Sequence, residues 1–515
     1  MKKTASIITL ALLTSALLAG GCGSGEKQSS SNSKDTFVYG TTAYGVAMDN
    51  AGMNPHDSYK GWSTLRYGVG ETLFRFNEQM QPEPWLASKY ERLDDKTIKI
   101  TLKDNIKFSS GRPLTGNAVK ACLEDLLAKH DRAAADLQIT SITADGQAIT
   151  IQTKDKAPAL INYLCDPYGC IIDMEAGTAD DTKISGTGPY ITESLTPTEI
   201  HLKKNPNYWN GAVATEKVIV KSITNGDTLT MAMQNGELDA AQGLPYASIK
   251  LFQGKDNFKL SSVATSRVFQ GAFNFRTPAL QDANIRQAIA IAIDKEGFVN
   301  NLLHKNGAIA QSPFPEFMPS GQNLKHVQSY NPTKAKELLA ASGWSDTNGD
   351  GYVDKDGKNL ELRWLTYTSR QELPLLAEAA QSFLKDIGIK LNVNATDNYN
   401  AFLKGGDWDI YAKAFVTAPT GDPQYYFTTH ALDSSAYNNG GYHSDKMEAL
   451  ALELRNELNP QRRALLGQQM ADTILEDNAF LYASHLQMNL VMSSSVSGFT
   501  AHPSDYYEIT ASLKK

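Results

Sequence analysis

The chain has 515 residues, past the size at which one hydrophobic core stops growing, so two or three domains are expected. At 41% hydrophobic, 20% charged and 9% aromatic, its composition is that of an ordinary folded protein, not a disordered or fibrous one. A formal net charge of −7 lacks the basic excess that nucleic-acid binding demands and argues against such a partner.

The first segment reads as processing rather than fold. Lys2 and Lys3 precede an apolar run over 7–18, the pattern of a signal peptide. The run falls short of the ~20 apolar residues that a spanning helix needs. Leu17-Leu18-Ala19-Gly20-Gly21-Cys22 resembles a bacterial lipobox, in which the cysteine becomes a lipidated N-terminus. The usual box has Leu or a similar residue three places before the cysteine, where this chain has Ala19, with Leu18 one place earlier. A simple secretory signal containing a cysteine is the alternative. Residues rich in Ser, Gly and Asn follow, suited to a flexible tether. The expectation is a signal peptide over 1–21, a tether over 22–35, and a protein exported and held to the membrane through Cys22.

Beyond the tether, helices and strands interleave. Residues 37–39 read as a strand, and 63–76 as a helix running into a short strand. Residues 97–102 alternate at period two, as a half-buried strand does. Residues 118–129 form a helix with Thr115 or Asn117 as its cap, and Asp145-Gly146 joins a hairpin over 139–144 and 147–153. Strands are expected at 218–223, 258–262, 268–275, 389–393, 408–415 and 490–492. Helices are expected at 228–235, 285–303, 332–341, 374–387, 446–458 and 462–476. This is α/β throughout, without an internal repeat or a Pro- or Ser-rich linker, so the chain is expected to cross between domains more than once.

Enzyme motifs are missing. No Gly-x-Ser-x-Gly elbow, His-Glu-x-x-His, Walker loop or dinucleotide fingerprint occurs, and the nine histidines are scattered. Neither a cofactor nor a metal centre is expected. Asp346-Thr347-Asn348-Gly349-Asp350-Gly351 matches the opening half of a calcium loop, but Gly357 stands where the bidentate Glu belongs, and a polar turn is the preferred reading. Cys122, Cys165 and Cys170 are odd in number for an exported protein. Cys165 and Cys170 bracket a turn-like Asp166-Pro167-Tyr168-Gly169, which leaves a short disulfide and free thiols both open.

Three segments carry a family resemblance. The first runs from Glu91 through the alternating strand 97–102 to Phe108-Ser109-Ser110-Gly111. The second is Gly186-Thr187-Gly188-Pro189-Tyr190 with Lys204-Asn205-Pro206-Asn207-Tyr208-Trp209. The third joins Asn274-Phe275, Ile285-Arg286-Gln287-Ala288-Ile289-Ala290, Ala335-Lys336-Glu337-Leu338-Leu339, Gly343-Trp344 and Gly405-Gly406-Asp407-Trp408-Asp409. In this order they resemble the peptide- and nickel-binding solute-binding proteins of family 5, the capture components of ABC importers. That resemblance implies a two-lobed periplasmic-binding-protein clamp of class II type with mixed sheets, two hinge strands and a small accessory domain. The boundaries expected are 36–74, 190–274 and 490–515 for lobe I, 75–189 for the accessory domain and 275–489 for lobe II. It also implies a monomer that closes on its solute and docks to permease and ATPase subunits, with no covalent chemistry.

The ligand is left open between a short peptide and a metal chelate of nickel type. In peptide binders an Asp-Pro aspartate pairs with the ligand's amine, and Asp422-Pro423 stands at that place. An ordinary turn aspartate is the alternative. The nickel branch uses a Pro-Arg pair where this chain has Pro167-Tyr168, which puts its usual chelate contacts in doubt, although Met53-Asn54-Pro55-His56 is similar to that branch's opening. His430 and His443 flank a loop where a chelate binder could place an imidazole. Trp62, Tyr67, Tyr425 and Tyr426 are candidate cleft walls. A secreted hydrolase, or a surface adhesin or peptide chaperone on the same scaffold, are the competing functions.

Overall fold

Two long strands set the architecture. Phe258–Phe273 and Phe480–Ser493 pair antiparallel along almost their whole lengths, well beyond the five or six residues of an ordinary strand. The computed structural model that shows them describes residues 35–42 and 52–515; the expected signal peptide, Cys22 and nearly all of the expected tether lie outside the described residues.

These two strands belong to both halves of one eleven-stranded mixed sheet. On one side Phe480–Ser493 continues to Ala240–Gln242, Thr36–Thr41, Lys217–Ser222, Glu199–Lys204 and Tyr190–Leu195. On the other, Phe258–Phe273 pairs with Ile410–Val416, followed by Glu361–Thr366 and Lys390–Ala395. The register slips midway, between Ala264 opposite Gln487 and Val268 opposite His485. Residues 265–267 therefore form a bulge, which bends a strand and strengthens its twist. Ser266 carbonyl accepts from both the amide and the hydroxyl of Thr417 at 2.9 Å, tying the bend to the end of the neighbouring strand. Two lobes, joined through two continuous strands whose pairing is irregular between Ala264 and Gln270, make an α/β clamp with a hinge.

Helices cover both faces of the sheet. Phe269, Phe273, Ile410 and Leu481 pack under the helices Ala283–Ala292, Pro332–Ala341 and Glu372–Asp386. Val268, Ala272, Phe480 and Tyr482 face Gln424–His430, Asp445–Asn456 and Pro460–Glu476. A separate four-stranded antiparallel sheet, in the order Ala87–Arg92, Thr97–Leu102, Ala148–Thr153, Ile139–Asp145, lies between lobe-I strands in the sequence. Ile98, Ile100 and Ile151 share its core with Val119 and Leu123 of the helix Gly116–Lys129, whose amide at Ala118 is capped by Thr115.

The second of the segments that carry the resemblance gathers around one buried carboxylate. Buried Glu71 accepts hydrogen bonds from Trp85 Nε1 (2.9 Å), Thr187 Oγ1 (2.8 Å), Tyr208 (3.2 Å) and Trp209 Nε1 (2.8 Å). Its neighbours Gly186 and Gly188 press so closely on the chain that an added Cβ would lie 2.2 Å from the Val69 carbonyl and 2.3 Å from that of Gly68.

Two sequence expectations change, and the question left open about the cysteines is answered. The helix expected over 285–303 ends at Ala292, because Ile293 is extended and Asp294 caps a new turn through the Gly297 amide; a π-helical turn, Phe298–Leu302, follows. The strands expected at 258–262 and 268–275 are one. Cys122, Cys165 and Cys170 are separate buried thiols, so the 165–170 disulfide is not formed. In the Asp346 loop the carboxylates turn inward: Asp346 accepts from the Gly349 and Gly351 amides and Asp350 from Tyr352, the geometry of a polar turn.

Candidate functional site

In open α/β sheets, ligands bind beyond the carboxyl ends of the strands. Here those ends belong to the parallel strands Glu361–Thr366 and Ile410–Val416, beside the bulge. Alternation along Ile410–Val416 sends Tyr411, Lys413 and Phe415 to one face. Gln270 lies directly opposite Lys413, and Tyr482 opposite Gln270. The short helix Gln424–His430 covers this face with Tyr426 and His430, four residues apart and thus stacked: ring centroids 5.1 Å, planes 8° apart. Phe415 meets His430 edge-on at 4.1 Å and stacks on Tyr425 at 5.7 Å.

Lys413 is buried and, among the described residues, has neither a carboxylate nor a hydrogen-bond partner; only ring faces surround it. Its Nζ is 5.1 Å from the centroid of Tyr437, 5.7 Å from Tyr411 and 5.9 Å from Phe415. Burial alone pushes its ammonium down to about 7. His430 Nε2 is buried without a partner, and burial together with the Lys413 charge holds its imidazole well below the usual range. Arg267, in the bulge, is a second cation, and among the described residues its guanidinium has no ion pair or hydrogen bond; burial and nearby Arg370 lower it to about 10, against the more distant charges of Asp505 and Glu372.

The facing wall comes from the other lobe and the accessory region. Half-buried Trp62 meets Tyr506 edge-on at 5.2 Å, with the Arg66 guanidinium 5.4 Å over its ring. Arg66 pairs with Asp505 at 2.7 Å. Arg132 pairs with Asp166 at 2.7 Å and lies 4.7 Å over the Tyr168 ring. A guanidinium thus stands beside Pro167-Tyr168, supplied from the helix Asp131–Leu137 rather than from position 168. Burial raises the Tyr425 phenol, and the Arg132 charge opposes that shift. Two hydrogen bonds join the walls directly: Tyr506 to the Pro419 carbonyl (3.0 Å) and Asn162 to that of Thr420 (2.8 Å).

The expected site residues fall into different places. Tyr425, Tyr426 and His430 come together, and Trp62 stands on the facing wall. Tyr426 is wholly buried; its hydroxyl donates to Gln270 (2.8 Å) and so accepts from Tyr482 (2.9 Å). Tyr67 belongs to the core, edge-on to Tyr39 at 6.5 Å, rather than to a cleft wall. His443 is exposed on the surface, paired with Asp433 at 2.9 Å, and does not join His430. Asp422 requires correction as a free anion. Both its oxygens are taken by Arg463, Nε to Oδ2 and Nη2 to Oδ1 at 2.8 Å each, and the Gln424 amide adds a third bond. A ligand's ammonium would have to displace a buried guanidinium. Lys413, Arg267 and Arg132 were not anticipated. The available signal was a lysine at an inward place of an alternating strand, between Tyr411 and Phe415.

Fold and cleft together define a hinged two-lobed clamp of the periplasmic-binding type, with aromatic walls and uncompensated cations between the lobes. The chain belongs to the bacterial extracellular solute-binding proteins, family 5, matched over residues 81–438. It is 28% identical to the nickel-binding protein NikA of Staphylococcus aureus, over 86% of this chain and 89% of that one. It is 24% identical to the oligopeptide-binding protein AppA of Bacillus subtilis, over 99% and 98%. A crystal structure of a nickel ABC transporter from Bacillus halodurans superposes with a TM-score of 0.84 at 26% identity, over 93% of this chain and all of that one. S. aureus NikA in complex with Ni(L-His)2 superposes at 0.71, with 25% identity over 93% and 100% of the two chains. These relatives are solute-binding proteins rather than enzymes.

Proposed function

We propose that the protein is the extracytoplasmic solute-capturing lipoprotein of an ABC importer. The mature chain begins at a lipidated Cys22, with 22–35 as tether. A short peptide or a nickel-type metal chelate is enclosed between lobe I (36–74, 190–274 and 490–515) and lobe II (275–489), beside an accessory domain over 75–189. The loaded monomer then delivers it to the permease and ATPase subunits.

The observation that carries this reading is the pair of buried cations, Lys413 and Arg267, that among the described residues have no ion-pair partner at the bend between the lobes. A fold keeps such charges in a half-dry cleft at a cost, and an anionic solute offsets it. A carboxylate is common to a peptide's C-terminus and to amino-acid chelates, so both solute types of the named relatives fit. Arg132 beside Tyr168 supports the chelate, and Trp62 and Tyr425 give either solute an aromatic wall.

Native mass spectrometry of protein extracted from membranes in detergent tests both parts. The expected mass is the chain from Cys22 with a diacylglyceryl group, plus one small solute per chain that denaturation releases. A chain without lipid contradicts the anchor; a chain without solute at every preparation contradicts capture.

A further inference from the structure

Lys413 and His430 share two ring neighbours and one deficiency. Tyr437 lies 5.1 Å from the lysine nitrogen and 5.4 Å from the imidazole, and Phe415 lies 5.9 Å from the first and 4.1 Å from the second. Among the described residues neither the ammonium nor His430 Nε2 has a partner, although both side chains are more than nine-tenths buried.

The state of the imidazole follows from its neighbour. The Thr429 hydroxyl has a single hydrogen, directed to the Tyr425 carbonyl at 2.7 Å in the manner of helix threonines. With that hydrogen on the carbonyl, His430 Nδ1, 2.8 Å from the hydroxyl, is assigned as the donor. Nε2 is left as a bare lone pair. A buried ammonium and a buried lone pair that share the Phe415 and Tyr437 rings make half of a recognition site: one asks for an anion, the other for a hydrogen-bond donor or a metal ion.

We infer that Lys413 and His430 form a carboxylate subsite of the cleft, the ammonium holding the solute's carboxylate and Nε2 taking the N–H group or metal ion adjacent to it. This rests on the reading of the cleft as the solute site. It places the carboxylate under the exposed Tyr437, whose ring covers both groups. Both free amino-acid-type carboxylates and those within a metal chelate satisfy the chemistry.

The test uses calorimetry with four probes: nickel with L-histidine, nickel with histamine (which lacks the carboxylate), tri-alanine, and tri-alanine amide. Wild type is expected to bind at least one carboxylate probe, and at least tenfold more weakly its counterpart without the carboxylate. Lys413→Met should lose the same tenfold on the carboxylate probe and nothing further on the counterpart, whereas Lys413→Arg retains binding. His430→Phe separates the sources: loss with nickel–histidine alone assigns a chelate, and loss with tri-alanine assigns a peptide. Binding by a folded Lys413→Met protein as tight as wild type overturns the subsite, as does equal wild-type affinity for acid and amide. If wild type binds none of the four and carries no solute, the cleft reading itself fails and the subsite with it.

Discussion

Asp422 shows what a motif does and does not convey about a residue. The Asp-Pro pair was legible, and so was the presence of an anion at the cleft end of the sheet. Its partner was not, because Arg463 lies 41 residues later on another helix and nothing local links the two. The pair is buried, bidentate and joined by a backbone amide, so removing one member leaves an uncompensated charge. Asp422→Ala is expected to destabilise the solute-free protein by about 3–5 kcal/mol in denaturant unfolding, and combining it with Arg463→Met should recover much of that loss. An unchanged unfolding midpoint, with solute affinity lost, would return Asp422 to the role of ligand anchor. Lys413 is the converse case. It sits in an expected strand, yet only the register with Gln270 and the helix over it reveal that its charge is unmatched.

At the scale of elements, type was legible more often than extent. Apolar periodicity continues across 285–303, but the backbone breaks at Ile293 where Asp294 caps the next turn. That break carries Lys295 into the interior, with only the Ala310 carbonyl near its nitrogen, at 3.4 Å. Burial lowers its ammonium from 10.5 to about 7. The unfolded chain thus holds this proton more tightly than the folded one. Its contribution makes stability rise with pH between about 7 and 10.5, and the full penalty of a buried charge is present below 7. Lys295→Met should accordingly raise the melting temperature most at pH 6, with the gain shrinking toward pH 10. A gain that does not change with pH, or a loss at pH 6, contradicts this. The long hinge strand failed in the opposite direction: the polar stretch Thr265-Ser266-Arg267 breaks the alternation, so one bent strand reads as two.

For the whole molecule, the α/β class and the crossing of the chain between lobes follow from the mixed order of elements, and the resemblance conveyed the clamp. Pairing across 200 residues, which makes Phe258–Phe273 and Phe480–Ser493 a shared hinge, is set by tertiary contacts that periodicity does not encode. Continuity of these strands also limits the motion. A rotation of the lobes would pivot at the bulge at 265–267 and break the Tyr506–Pro419 and Asn162–Thr420 contacts, with the two shared strands left continuous. Enclosure of a solute between lobes on this hinge is the central claim. Small-angle scattering of solute-free and solute-saturated protein tests it most directly. The radius of gyration should fall on saturation, and the saturated profile should match that of this structure; identical profiles, with binding confirmed in the same samples, would contradict closure.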